Sequence, residues 1–183
     1  MNLEQSNEHE DLCPYRPVEC WVGNWNDTVA KCVWQGTKNE LFSHVCSVHG
    51  DQWVHVGMTM EGVEFGGFDT SPIRIVLLCT LSELFWLTVK CDLDSGIHLG
   101  VVHYIGPRSR AAQFEYTIEI TFPDGQGKYS VTFPTRTCFE DINEMFDADC
   151  FFPVSSYTVA MGSINPKKRF PGYKFTVREV WFR

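Results

Sequence analysis

Four residues between positions 20 and 49 have the types and spacing to hold a metal ion: Cys20-x11-Cys32-x11-His44-x4-His49. Two thiolates and two imidazoles complete the shell of one tetrahedral zinc, and a filled shell leaves no position for an attacking water. The chemistry this set points to is therefore structural. The competing reading is free thiols and surface imidazoles. The eleven-residue gap between the thiols is wider than in a common finger, and Cys46 competes as a ligand.

Local elements must bring the four together. Lys31 to Gly36 reads as a turn with a glycine exit, carrying Cys32. Asn39 to His49 reads as a short amphipathic helix bearing both imidazoles, with Leu41, Val45 and Val48 closing a small apolar lid.

The 183 residues suit one ordinary domain plus a small module. Hydrophobic residues make up 44% and aromatics 14%, enough for a substantial core. No apolar run reaches the roughly 18 residues of a membrane span, and Met1 to Glu10 is polar and acidic where a secretory signal would be basic and then apolar. A soluble, cytoplasmic or nuclear chain is expected, with Cys79, Cys91, Cys138 and Cys150 as free core or near-core thiols. The net charge of -8 argues against nucleic-acid binding, which needs cations to neutralise phosphates. The one basic cluster, Lys167-Lys168-Arg169, reads as a solvated hairpin loop.

Beyond residue 50 the pattern becomes that of strands. Trp53 to Met58, Ile73 to Leu78, Leu84 to Cys91, Leu99 to Ile105, Gln113 to Phe122, Tyr129 to Phe133, Ser155 to Gly162 and Tyr173 to Phe182 are the expected ones, with Phe114, Tyr116, Ile118 and Ile120 on one face. One short helix is expected at Cys138 to Phe146, capped by Thr137. The predicted fold is mainly β: a finger over residues 1–50, then an antiparallel β-sandwich over 51–183.

Several stretches, in order, resemble the seven-in-absentia type E3 ubiquitin ligases: His9 to Cys20, Cys32-Val33-Trp34-Gln35-Gly36, His44 with His49, Val102 to Arg108 through Phe114-Glu115-Tyr116, and Ala148 to Phe152. The resemblance implies a TRAF-like sandwich as substrate-binding region. It implies that Cys20, Cys32, His44 and His49 are the zinc ligands of the family's second finger, and that His9 and Cys13 are the last two ligand positions of its first. The family's RING, which recruits the ubiquitin-loaded E2, has no counterpart before Cys13, and the first finger lacks its upstream cysteines. Two expectations stand open: the recognition region of a longer ligase that commits captured proteins to degradation, or a RING-less adaptor or scaffold with no ligase activity of its own. The segment Trp21 to Lys31 is longer than the family's usual gap and carries Trp21 and Trp25, whose rings either cover the finger or meet a partner.

Family members capture extended degron peptides on a sheet edge, where main-chain hydrogen bonds supply affinity. The first strand after the finger is the candidate edge. Its alternation puts Val54 and Val56 on one face and Trp53 and His55 on the other, which makes Trp53 and His55 the candidate partner-binding residues, with finger packing the competing role for Trp53. The resemblance also implies a homodimer, or a heterodimer with a relative; Val177 to Phe182, with Trp181 and Phe182, is apolar on both faces. The expected partners are proteins or peptides, together with the ubiquitin-conjugating machinery where a RING is present. A Cys-His nucleophilic pair of His98 or His103 with one of the cysteines, oriented by Asp92 or Asp94, has nothing to assemble it, and His103 is expected to be satisfied or exposed.

Overall fold

The computed structural model describes residues 13, 15–23, 30–61, 73–92, 97–121, 128–141, 152–155 and 172–180. His9, Trp25, Asp94, Cys150, Trp181, Phe182, the basic cluster at 167–169 and most of the expected strand at 155–162 lie outside them. In the finger, β1 (Val18–Glu19) pairs antiparallel with β2 (Gln35–Gly36), followed by α1 (Lys38–His44), a wider turn at Val45–His49 and a tight turn at Asp51–Trp53. The sandwich comprises β3 (Val54–Val56), β4 (Thr59–Glu61), β5 (Ile73–Thr80), β6 (Glu83–Asp92), β7 (Ile97–Tyr104), the single turn α2 (Arg108–Ala111), β8 (Phe114–Thr121), β9 (Lys128–Pro134), β10 (Arg136–Thr137), β11 (Phe152–Ser155) and β12 (Gly172–Glu179). Among the described residues, no helix is long and apolar enough to cross a membrane.

Two sheets face each other. One runs β10-β7-β6-β5-β3, with β11 also on β7; the other runs β4-β12-β8-β9. Pairing is antiparallel except for two short parallel contacts, β3 with β5 and β10 with β7. Phe85, Leu87, Val89, Val102 and Tyr104 of the first sheet meet Phe114, Tyr116, Ile118, Phe175 and Val177 of the second. The alternation in β8 thus sends Phe114, Tyr116 and Ile118 inward, as the sequence pattern requires.

The first sheet is covered on its other face too. Ile75, Leu77, Trp86 and Ile105 pack against Val18, Trp21, Val22, Leu41 and Val45 of the finger. A strand buried on both faces needs no polar alternation, and five consecutive residues of β6, Phe85 to Val89, are buried. The finger is therefore a third layer.

Polar contacts hold that layer beside its apolar core. Glu83 accepts from Lys38 of α1, from the Tyr104 hydroxyl at 3.0 Å and from Arg110 at 3.3 Å, while Arg110 also reaches Glu179 at 2.7 Å. Burial alone would raise the Glu83 carboxyl; these donors, Lys38 foremost, hold it below the usual carboxylate range.

Three expectations change. The segment Trp53 to Met58 is not one strand: only Val54–Val56 is extended alongside β5, and the chain then crosses to the second sheet through Gly57, at a φ of 138° open to glycine. Val54 packs against the finger core but Val56 is 70% exposed, so the two valines do not enter the core together. The expected helix does not begin at Cys138. Residues 138–140 form a turn because the Cys138 N–H donates to the Tyr104 carbonyl at 2.9 Å, extending the β10 pairing; residues 142–146 of the expected helix lie outside the described residues. Thr137 still caps locally, accepting from the Phe139 N–H at 3.3 Å.

The β5–β6 hairpin turns at Leu81 and Ser82, with φ of 53° and 58°. Both lie in the left-handed region that two-residue hairpin turns require and that side chains other than Gly, Asn and Asp resist. Ser82 is exposed. Ser82→Gly is expected to stabilise the protein by about 1 kcal/mol, read as a higher urea midpoint at unchanged slope; a lower midpoint would mean the turn is not strained.

Candidate metal centre

The ladder that starts at β1 and β2 brings the two thiols together. The Cys20 N–H donates to the Trp34 carbonyl at 3.1 Å and the Cys32 N–H to the Val22 carbonyl at 3.2 Å. The helix is started by Thr37, whose N–H and hydroxyl both donate to the Glu40 carboxylate, at 2.9 and 2.8 Å.

His44 and His49 lie five residues apart, and at about 100° per residue an α-helix would point them about 140° apart. The wider turn at Val45–His49, closed by the Gly50 N–H on the Val45 carbonyl at 3.1 Å, brings both rings to the same side. It also rotates Val48 outward to 62% exposure, so the apolar lid consists of Leu41 and Val45 without it.

Cys20, Cys32, His44 and His49 converge so that their ligand atoms all lie within 4.8 Å of one another. Cys32 Sγ is 3.3 Å from His44 Nε2, and Cys20 Sγ is 3.5 Å from His49 Nε2. A tetrahedral ion at about 2.3 Å from sulfur and about 2.0 Å from nitrogen separates its S and N donors by about 3.5 Å. The spacing fits one such ion. Cys20 is fully buried, and burial first, then the charge of Cys32, push its thiol up to about 12. A thiol so reluctant to ionise alone is deprotonated by a metal. Burial lowers both imidazoles, with His49 adding to the effect on His44. They are kept in the neutral form that ligates.

The other sequence candidates fall elsewhere. Cys46 is outside the cluster and faces the sandwich, where it is the second contributor, after burial, to a Cys79 thiol raised to about 11. Cys13 lines a cleft of about 580 Å³ between finger and sandwich, with Arg16, Lys38, Tyr104 and Phe139; its expected companion His9 lies outside the described residues. Trp53 sits in the tight turn and packs, half-buried, on the core shared by finger and sheet. His55 donates from Nε2 to the Thr59 carbonyl at 2.9 Å, across the corner at Gly57.

Two residues matter more than their sequence context showed. Trp21 is buried and stacks on Trp86, centroids 5.9 Å apart and planes 9° apart, so this tryptophan covers rather than projects. His103 meets Trp21 edge-on at 5.0 Å. It is neither satisfied nor exposed: it is wholly buried, and neither ring nitrogen has a hydrogen-bond partner among the described residues. The alternation of β7, which sends Val102 and Tyr104 into the sandwich, was the signal that placed His103 on the other face.

The fold and the site define a mainly β, two-sheet sandwich with a docked Cys2His2 centre able to hold a metal ion. Comparison with protein-family models and with curated proteins finds no match to the chain.

Proposed function

We propose that this chain is a zinc-stabilised partner-recognition module of the seven-in-absentia type, which captures extended peptides on a sheet edge. Zinc is the ion that two Cys and two His suit best, and here it orients the finger and does no chemistry. The observation that carries the recognition reading is an apolar groove of about 500 Å³ beside β3, lined by Phe42, Val56, Met58, Cys79, Leu81 and Leu84. Val56 and Met58 are 70% and 55% exposed there, and β3 is the terminal strand of its sheet, with β5 its sole partner among the described residues. An added strand would take the free main-chain groups of β3 and set alternate side chains into the groove.

In this reading Val56 and Met58 contact the peptide, while Trp53 and His55 hold the strand in place. The working context is a RING-type E3 ligase of the cytoplasm or nucleus, acting as a homodimer or with a relative. A RING-less adaptor of the same fold would bind the same peptides. Pulldown from cell lysate with wild type and with Val56→Asp/Met58→Asp is the test. Both side chains are exposed, so the variant is expected to fold normally and to lose at least 10-fold of captured client. Clients recovered with ubiquitin-conjugating enzymes favour the ligase, and clients without them the adaptor. Clients retained by a folded variant would place recognition on another surface.

A further inference from the structure

Metal-binding imidazoles are generally oriented by a hydrogen bond from the ring nitrogen that does not ligate. Among the described residues, the polar contact of the His44 ring is Nε2 with Cys32 Sγ, and nothing there holds Nδ1. A stack takes the place of that bond. The Trp34 indole lies face to face with the His44 imidazole, centroids 4.5 Å apart and planes 8° apart, while the His44 ring meets His49 nearly perpendicular, at 5.2 Å and 85°.

The indole has a seat of its own. A Cβ added at Gly36 would stand 2.4 Å from Trp34 Cζ2 and 2.8 Å from Cη2, so the ring lies directly over the glycine. The backbone beneath is fixed by the pairing of Gly36 with Val18 and by the hydrogen bond from Cys20 to the Trp34 carbonyl. The indole is thus confined between Gly36 and His44.

We propose that Trp34 is a positioning residue of the metal centre, aligning His44 Nε2 on the ion by stacking, and that Gly36 is required because any side chain there would displace the indole. The inference rests on the metal reading of Cys20, Cys32, His44 and His49. Neither residue contributes a ligand, yet both control how tightly the ion is held.

Cobalt(II) titration of the purified chain tests this, followed by the d–d bands and the sulfur-to-cobalt charge-transfer band, with zinc competition for affinity. Trp34→Ala and Gly36→Ala are each expected to weaken cobalt binding about 10–100-fold, the usual effect of losing an outer-shell partner. Trp34→Phe, which can still stack, should retain most of the affinity. The double variant Trp34→Ala/Gly36→Ala should be no weaker than Trp34→Ala alone, since both lose the same contact. Gly36→Ala keeps the test alive if Trp34→Ala fails to fold. Wild-type cobalt affinity and band shape in folded Trp34→Ala and Gly36→Ala, with any loss of Tm equal in metal-free and metal-loaded protein, would overturn the proposal and leave Trp34 as packing. Absence of tetrahedral cobalt bands in the wild type would overturn the metal reading, and the proposal with it.

Discussion

With the Cys2His2 site loaded with zinc, stripping the ion with a strong chelator at neutral pH is expected to undock the finger from the sandwich and lower Tm by about 10 °C. Cys20 is a fully buried member of the candidate metal site and is followed directly by Trp21, whose ring stacks on Trp86 of the central strand β6. Without an ion, the two thiols and two imidazoles have only weak contacts with one another, and the segment that carries Trp21 is tied to the rest of the finger by the short β1–β2 ladder and its two flanking hydrogen bonds. Exposing a buried tryptophan costs about 3–5 kcal/mol, and in a protein of this size each kcal/mol moves Tm by about 2–4 °C. Cys20→Ser should reproduce the effect without chelator. Trp21→Ala should lose similar stability while still binding one ion, which separates undocking from metal loss. Near-ultraviolet circular dichroism reads the stacked pair directly. An unchanged spectrum and Tm in the chelated protein would show that the ion does not hold this interface.

The second large effect is expected on acidification, at His103. Burial, and then the charge of Arg136, hold its imidazole down to about 3, against about 6.5 in an unfolded chain. The folded protein therefore excludes a proton that the unfolded chain accepts. Stability from this source is complete above pH 6.5 and is lost as pH falls toward 3, at about 1.4 kcal/mol per unit. At pH 4.5 the loss is on the order of 2–3 kcal/mol. Protonation of His44 and His49, whose imidazoles burial also lowers, would cost them any ligand role, so the contributions must be separated. His103→Leu does this, because it leaves all four ligands in place. Replacing a buried imidazole that has no hydrogen bond among the described residues by an apolar group of similar size should be neutral or stabilising at pH 7. Urea unfolding from pH 7 to 4.5 is expected to show the variant losing less stability than wild type by that same 2–3 kcal/mol. Parallel pH profiles would mean that His103 gains a partner or a proton without opening the interface.

Local spacing was enough for the parts of this protein whose physics is local. Cys20, Cys32, His44 and His49 are legible as a set because a tetrahedral ion demands four suitable donors close in the chain, and these are brought together by a short ladder, one short helix and the wider turn that follows it. Phe114, Tyr116 and Ile118 are legible because β8 has a core on one face only. What depended on other layers was not. The apolar continuity of β6 acquires its meaning from the finger on one face and the second sheet on the other, and His103 is buried by Trp21, a residue 82 positions earlier in the chain. Trp53 to Met58 alternates as one strand would, yet the crossing at Gly57 divides it between two sheets, since β4 finds its partner in β12 near the end of the chain. Cys138 continues into a turn because Tyr104 claims its N–H, overriding a good helix cap at Thr137. Donor types and periodicity are written residue by residue, whereas the docking of three layers depends on contacts between residues far apart in the chain, and only the folded arrangement shows which of them form.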